Sequence, residues 1–272
     1  MKLAYMTTTP DVRSTMPLAW MGDLDEILPR IAGFGYEGVE FQIRDPSLID
    51  RPRLERQIRD AGLECTAIST GQVGAEDGLY LVHPDEDART AAVERFKAVL
   101  DFASELGVDA SIGCFRGTLK SVKSREQGLE WFRAAIEQVV EHASKRGNRV
   151  VLEPQMRFNT DFLNTFTETI TFIDSLGRPA PLVFEADLFH QAMEEKSIMA
   201  ALVQGQRSGL MSYVQLGDSN RLAPGWGHLP WVDIIETLKA SGYDGWLAME
   251  FTQAPDAARS ARQAHDFVRA LL

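Results

Sequence analysis

Cysteine is nearly absent: Cys65 and Cys114 are the only two in 272 residues, and they form no Cys-x-x-Cys pair. That excludes a disulfide framework and a cysteine-built zinc site. Positive charge is also short. With 28 Lys and Arg against 39 Asp and Glu, the net charge is −11, the opposite of a nucleic-acid-binding footprint. No apolar run approaches the ~20 residues of a membrane helix, and the opening stretch lacks the apolar segment of a secretory leader. The expectation is a cytoplasmic protein that handles small molecules, with neither a nucleic-acid nor a membrane partner. Several catalytic motifs are missing too. There is no Gly-x-Ser-x-Gly elbow and no Walker loop. No lysine stands at the end of an apolar strand, so a Schiff-base nucleophile has no place.

What is present is ordinary in amount, 44% hydrophobic and 25% charged, but regular in arrangement. Apolar strands are expected near residues 2–6, 39–42, 65–69, 108–113, 149–152, 181–184, 213–216 and 246–249. Between them run helical patterns at 23–32, 48–61, 84–106, 125–146, 162–173 and 231–240, and a last one covers 256–272. The first carries Leu24, Ile27, Leu28 and Ile31 on one face, the spacing of an amphipathic helix. A glycine-rich loop is expected after the third strand, at 71–78, and a Thr/Pro loop containing Trp20 after the first. Trp20 is either a packing residue of the rim or a wall for the apolar face of a ligand. Eight strands alternating with helical patterns, with no linker-like segment, predict one (β/α)8 barrel over residues 1–272. Gly35-Tyr36-Glu37-Gly38 before the second strand echoes Gly242-Tyr243-Asp244-Gly245 before the eighth, as repeated βα units would.

In such a barrel the C-terminal ends of the strands converge on one mouth. Strands five to eight bring Glu153, Asp187, Gln215 and Glu250 there. Three carboxylates in one desolvated mouth repel one another, so a positive partner is required. Either Arg116, Arg157 or Arg221 pairs with them, or a divalent cation does. Oxygen ligands suit Mg2+ or Mn2+. His190, about one helical turn beyond Asp187, is placed to donate to a substrate oxygen. Arg221 sits in a loop of turn formers, and Arg116 at the end of strand four. Each is either a substrate anchor or the partner of an acid. Glu40 reads as structural.

At these residues the chain resembles the xylose-isomerase-like TIM-barrel superfamily of sugar isomerases and epimerases, and within it the ketose 3-epimerases. The resemblance spans essentially the whole chain. It rests on Glu153 followed by Arg157-Phe158, on Asp187-Leu188-Phe189-His190, on Asp218-Ser219-Asn220-Arg221 with Pro224, Gly225 and Gly227, and on Glu250. It implies that Glu153, Asp187 and Glu250 hold a divalent metal, usually Mn2+. It also implies that the two glutamates are the acid/base pair and that His190 and Arg221 contact substrate oxygens. The implied reaction removes a proton beside a carbonyl and passes through a cis-enediolate. The substrate would be a small sugar or keto-sugar. Relatives of this kind are often homo-oligomers.

The chain departs from the pattern at Gln215, where the family typically carries a histidine ligand. A glutamine carbonyl still binds a hard cation but disfavours softer ions. It also departs at Asn159, where some epimerases carry an acid, which leaves the substrate open. Two other readings share the barrel. One is a lyase or dehydratase that expels a β-substituent from a keto-sugar or keto-inositol after the same proton abstraction. The other is a sugar-binding homologue without turnover. The abasic-site endonucleases, which need many histidines for three zinc ions, fit poorly with five histidines and a charge of −11.

Overall fold

A computed structural model describes residues 1–13 and 18–272. Residues 14–17, inside the loop expected up to Gly22, lie outside the described residues. The strands are β1 Lys2–Thr8, β2 Gly38–Gln42, β3 Glu64–Ser69, β4 Ala110–Ile112, β5 Val150–Leu152, β6 Leu182–Asp187, β7 Met211–Leu216 and β8 Trp246–Met249. Each pairs in parallel with its sequence neighbour, and β8 returns to β1 through Lys2–Trp246 and Leu3–Leu247, closing the barrel. Most strand residues are buried on both faces, because helices cover the outside and side chains fill the inside. The fold expected from the sequence is therefore present: a single (β/α)8 barrel.

The helices are α1 Leu24–Gly33, α2 Arg51–Asp60, α3 Gly71–Asp77, α4 Glu86–Glu105, α5 Arg125–Arg146, α6 Phe166–Ser175, α7 Leu188–Glu194, α8 Ile198–Ser208, α9 Trp231–Ala240 and α10 Ala257–Arg269. Several begin at a residue whose side-chain oxygen accepts from a first-turn N–H, among them Asp23, Asp50, Asp85, Ser124, Ser197 and Asp256. Three differences from the sequence reading have local causes. The segment read as a glycine-rich loop after β3 folds as α3, ended by Gly78 in the left-handed region at φ 66°. The helix expected from 162 starts at Phe166, because Thr165 and Glu168 form a capping box there. Strand six runs on through Asp187, and α7 and α8, to which the pattern assigned no range, follow it.

Inside the barrel the alternation of β7 turns Tyr213 and Gln215 inward. Ala4, Ala67 and Ala248 pack against Tyr213 and make room for its ring, and its hydroxyl is shared with Thr66 Oγ1 at 2.6 Å. The register shifts at Val39/Glu40 in β2 and at Phe184/Glu185 in β6. Irregularities of this kind re-aim side chains beside active sites, and here they stand next to the buried acids Glu40 and Glu185. Trp20 is a packing residue. Its N–H donates to Met6 O at 3.0 Å, its carbonyl accepts from Thr7 Oγ1 at 2.6 Å, and its ring stacks on Phe34.

Candidate active site

A cavity of about 370 Å3 opens at the C-terminal ends of the strands, within the size range of small-ligand sites. Glu153, His190, Gln215, Arg221 and Glu250 all line it. Asp187 is fully buried just behind them. Strand β6 ends on Asp187, which also caps α7: its Oδ1 accepts from Phe189 N at 2.8 Å. The turn so fixed places His190 Nε2 3.3 Å from Glu153 Oε1 and 3.5 Å from Asp187 Oδ2. Six of the seven residues singled out in the sequence are thus gathered at one mouth.

Arg221 resolves the choice of basic partner left open by the sequence. Its Nη1 donates to Asp187 Oδ2 at 2.6 Å and its Nη2 to Glu250 Oε2 at 2.7 Å. The guanidinium also lies 4.5 Å from the Phe189 ring centroid. Arg221 is held at φ 59°, with its N–H on Asp218 O at 2.8 Å and its carbonyl accepting from Thr252 N at 2.7 Å. A non-glycine residue there persists only when its surroundings enforce it, and such residues cluster at functional sites. The enforcing group is Asp218. Its carboxylate accepts from Ser219 N, Gly225 N, Leu229 N and the Trp231 indole at 2.7–3.1 Å, tying the loop after β7 into one body.

Arg116 and Arg157 stand elsewhere. Arg116 is fully buried and outside the cavity lining. It donates to the carbonyls of Gly113, Phe162 and Leu163 at 3.0–3.3 Å, joining the loop after β4 to that after β5. Its Nη2 is buried without a hydrogen-bond partner, and the side chain lies outside the cavity lining where the expected substrate contact would be. Arg157 is committed to Glu194, 2.9 Å away.

Electrostatics follow from burial with few cations. Burial works against the charge of Asp187, but Arg221 and His190 outweigh it and hold the carboxyl down at about 2. Burial raises Glu250 well above the carboxylate range, since the pull of Arg221 is countered by Asp187 and Glu153. Burial also lifts Glu40 to about 8, although Gln215 donates to it, and Glu153 adds to the rise. Glu185 is raised well above its usual range by burial and by Glu153, Glu40 and Glu250. Cys114, in the lining, is pushed up to about 12 by burial and then by Glu153 and Glu250, so it remains a thiol and is no nucleophile.

The donor set suits a divalent cation. Glu153 Oε1 and Gln215 Oε1 are buried oxygens without a hydrogen-bond partner. Gln215 Nε2 donates to Glu40 Oε1 at 2.9 Å, so the amide nitrogen is occupied and the carbonyl oxygen is the free end. One ligand atom from each of Glu153, Asp187 and His190 lies within 4.8 Å of the others. His190, read as a substrate contact, therefore stands equally near a cation. Oxygen-rich donors with one imidazole favour hard ions.

Sequence reasoning missed Gln155 and Gly113. Gln155 Nε2 donates to Glu153 Oε2 at 2.7 Å. A Cβ added to Gly113 would lie 2.1 Å from Glu153 Oε2 and 2.7 Å from Gln155 Nε2. The available signal was a glycine directly after a strand, which marks a close approach of another group.

The family model described as the xylose isomerase-like TIM barrel matches residues 28–271. The chain belongs to that family. Within it, the chain is similar to a ketose 3-epimerase from Arthrobacter globiformis, 26% identical over 253 residues that cover 89% of this chain and 85% of the relative. It superposes on the apo form of a 3-keto-D-glucoside 4-epimerase from E. coli with a TM-score of 0.82 at 21% identity, covering 99% of both chains. A D-allulose 3-epimerase from Methylomonas sp. in complex with D-allulose matches with a TM-score of 0.81 at 21% identity, over 100% of this chain and 98% of that one. At these identities the two structures establish the shared barrel. Among the described residues no helix is long and apolar enough to cross a membrane.

Proposed function

We propose that the chain is a divalent-metal-dependent sugar epimerase or isomerase that acts on a free ketose by moving a proton beside the carbonyl. The observation that carries this is the placement of two buried glutamates, Glu153 after β5 and Glu250 after β8, on one cavity. Inverting a carbon beside a carbonyl needs a base on one face and an acid on the other. Carboxylates from strands three apart around the barrel are disposed to serve both. The ketose 3-epimerase relative supports the same reading.

Glu153, Asp187, Gln215 and Glu250 would hold the ion, with His190 beside them, and Mn2+ or Mg2+ suits that set. When bound, the ion supplies polarisation of the substrate carbonyl and an adjacent hydroxyl, which makes the neighbouring C–H acidic. One glutamate takes the proton from that carbon and a cis-enediolate forms. Return of a proton by the other glutamate on the opposite face gives the epimer, and return to the other carbon gives the isomer. His190 and Arg221 orient substrate oxygens.

The lining argues for an uncharged sugar. Among the described residues Arg221 is its one Lys or Arg, and that guanidinium is already matched by Asp187 and Glu250. A phosphate or carboxylate group would find no unpaired Lys or Arg among the described lining residues.

The test is solvent deuterium exchange at the carbon next to the carbonyl, with D-allulose, D-tagatose and D-fructose as probes and protein loaded with Mn2+ or Mg2+. Exchange with epimer formation is expected in the wild type. Glu153→Gln and Glu250→Gln should each fall by about 10²–10⁴. No exchange from any ketose under any divalent ion would refute the reading. Release of water or an aglycone without epimer would turn it into a lyase.

A further inference from the structure

Gln155 is buried, with 5% of its surface exposed, and lines the cavity. Its backbone is locked: the carbonyl accepts from Asn164 Nδ2 at 2.6 Å, and that amide also donates to Thr160 O at 2.9 Å. The preceding carbonyl, on Pro154, accepts from Gln191 Nε2 at 2.8 Å. The side chain has little freedom either, because its nitrogen rests over the bare α-carbon of Gly113.

The carboxamide has two different ends. The Nε2 end donates to Glu153 Oε2 at 2.7 Å, and a carboxylate takes only that end. The Oε1 end therefore points away from Glu153. It is buried and has no partner within the protein. A buried carbonyl oxygen left unmatched is costly, and this one belongs to a residue that lines the cavity. Its partner must be a donor, and a ligand in the cavity can supply one. On an uncharged sugar that donor is a hydroxyl.

We propose that Gln155 is a specificity-determining residue whose carboxamide spans Glu153 and one hydroxyl of the substrate. The Nε2 bond holds the orientation of Glu153, and the Oε1 acceptor sets which hydroxyl must lie beside the carbon that Glu153 serves. A ketose lacking that hydroxyl, or carrying it on the other face, leaves Oε1 unmatched and is discriminated against. This inference rests on the ketose reading above and adds to it the residue that selects among ketoses.

The experiment compares kcat/KM for solvent exchange on D-allulose, D-tagatose and D-fructose and on a panel of their singly deoxygenated analogues. The enzymes are the Mn2+-loaded wild type, Gln155→Leu and Gln155→Met, with thermal unfolding as the check on folding. The wild type should disfavour one deoxy analogue by about tenfold or more, the worth of a hydrogen bond to an otherwise unmatched buried acceptor. Both variants should lose activity on the parent sugar and treat parent and analogue alike to within about twofold. A residue that served only to hold Glu153 would lower both rates together and leave their ratio intact. An unchanged ratio in the variants overturns the proposal, and so does a wild type that disfavours no member of the panel, whether or not the variants fold. Absence of exchange from every ketose in the wild type would instead overturn the function reading, and this inference with it.

Discussion

Replacing Gly113 by alanine tests the geometry of the mouth with a single methyl group. The new Cβ would lie 2.1 Å from Glu153 Oε2, 2.7 Å from Gln155 Nε2 and 3.4 Å from Glu153 Cδ. Only the last is an ordinary contact, so the carboxylate has to move by roughly 1 Å. A misplacement of ~1 Å in a reacting group costs about 100-fold in rate. Forcing one methyl into a packed site costs about 1–3 kcal/mol of stability. Gly113→Ala should therefore fold with a modestly lower Tm and lose about two orders of magnitude in ketose solvent exchange. Gly33→Ala is the control, because a Cβ there meets nothing within 4 Å. It should be neutral or gain about 0.5–1 kcal/mol as a helical Gly→Ala change. A second variant separates sterics from chemistry. Gly113→Ala combined with Glu153→Asp withdraws the carboxylate by one methylene, so the Tm should recover while exchange stays low. The assays are calorimetric unfolding and deuterium incorporation measured on the same preparations. Near-wild-type exchange by Gly113→Ala would refute the claim that Glu153 works from where it stands.

Other expectations follow from single contacts. Arg116→Met leaves the buried carbonyls of Phe162 and Leu163 without their donor and should cost about 2 kcal/mol with no change in KM for a ketose. A raised KM at unchanged Tm would restore Arg116 as a substrate contact. Asp218 has its carboxyl lowered: burial opposes its charge, but the Trp231 indole and the N–H groups of Ser219, Leu229 and Gly225 outweigh that. A folded pKa below the unfolded one adds stability above the usual carboxylate range and loses it as pH falls through the folded value. Asp218→Asn should therefore be less stable at neutral pH, by about 2 kcal/mol, with a shallower loss on acidification. Equal acid profiles for variant and wild type would contradict this. Chelation should abolish ketose exchange, and Mn2+ or Mg2+ should restore it. Full activity in the chelated protein, confirmed metal-free by elemental analysis, would remove the ion from the mechanism.

Much of this arrangement was legible because barrel strands impose their own order. Once strand ends converge on one mouth, an acid at the end of an apolar run is placed without further information. Glu153, Asp187 and Glu250 were found that way, as was Gln215. What could not be read were contacts between residues far apart in sequence whose side chains give no sign of a partner. Arg116 read like Arg221, since both follow the end of a strand and each could be a substrate anchor or the partner of an acid. They differ because the carbonyls of Phe162 and Leu163, which claim Arg116, are set by how the next loop folds. Gln155 escaped notice because Pro154 breaks the strand before it, so no periodicity assigned it a direction. Glu40 was read as structural, and its carboxyl occupies the nitrogen of Gln215, 175 residues away. That pairing bears on how a glutamine could serve where the resemblance implies a histidine. An imidazole presents one nitrogen when the other is bonded, and a carboxamide has the same need, because its two ends are of opposite kind. With Glu40 on the nitrogen, Gln215 turns its oxygen to the cavity and joins the carboxylate oxygens of Glu153, Asp187 and Glu250. On the proposed function, an ion held there would meet oxygen donors from Gln215 and the three carboxylates, a set that suits harder ions.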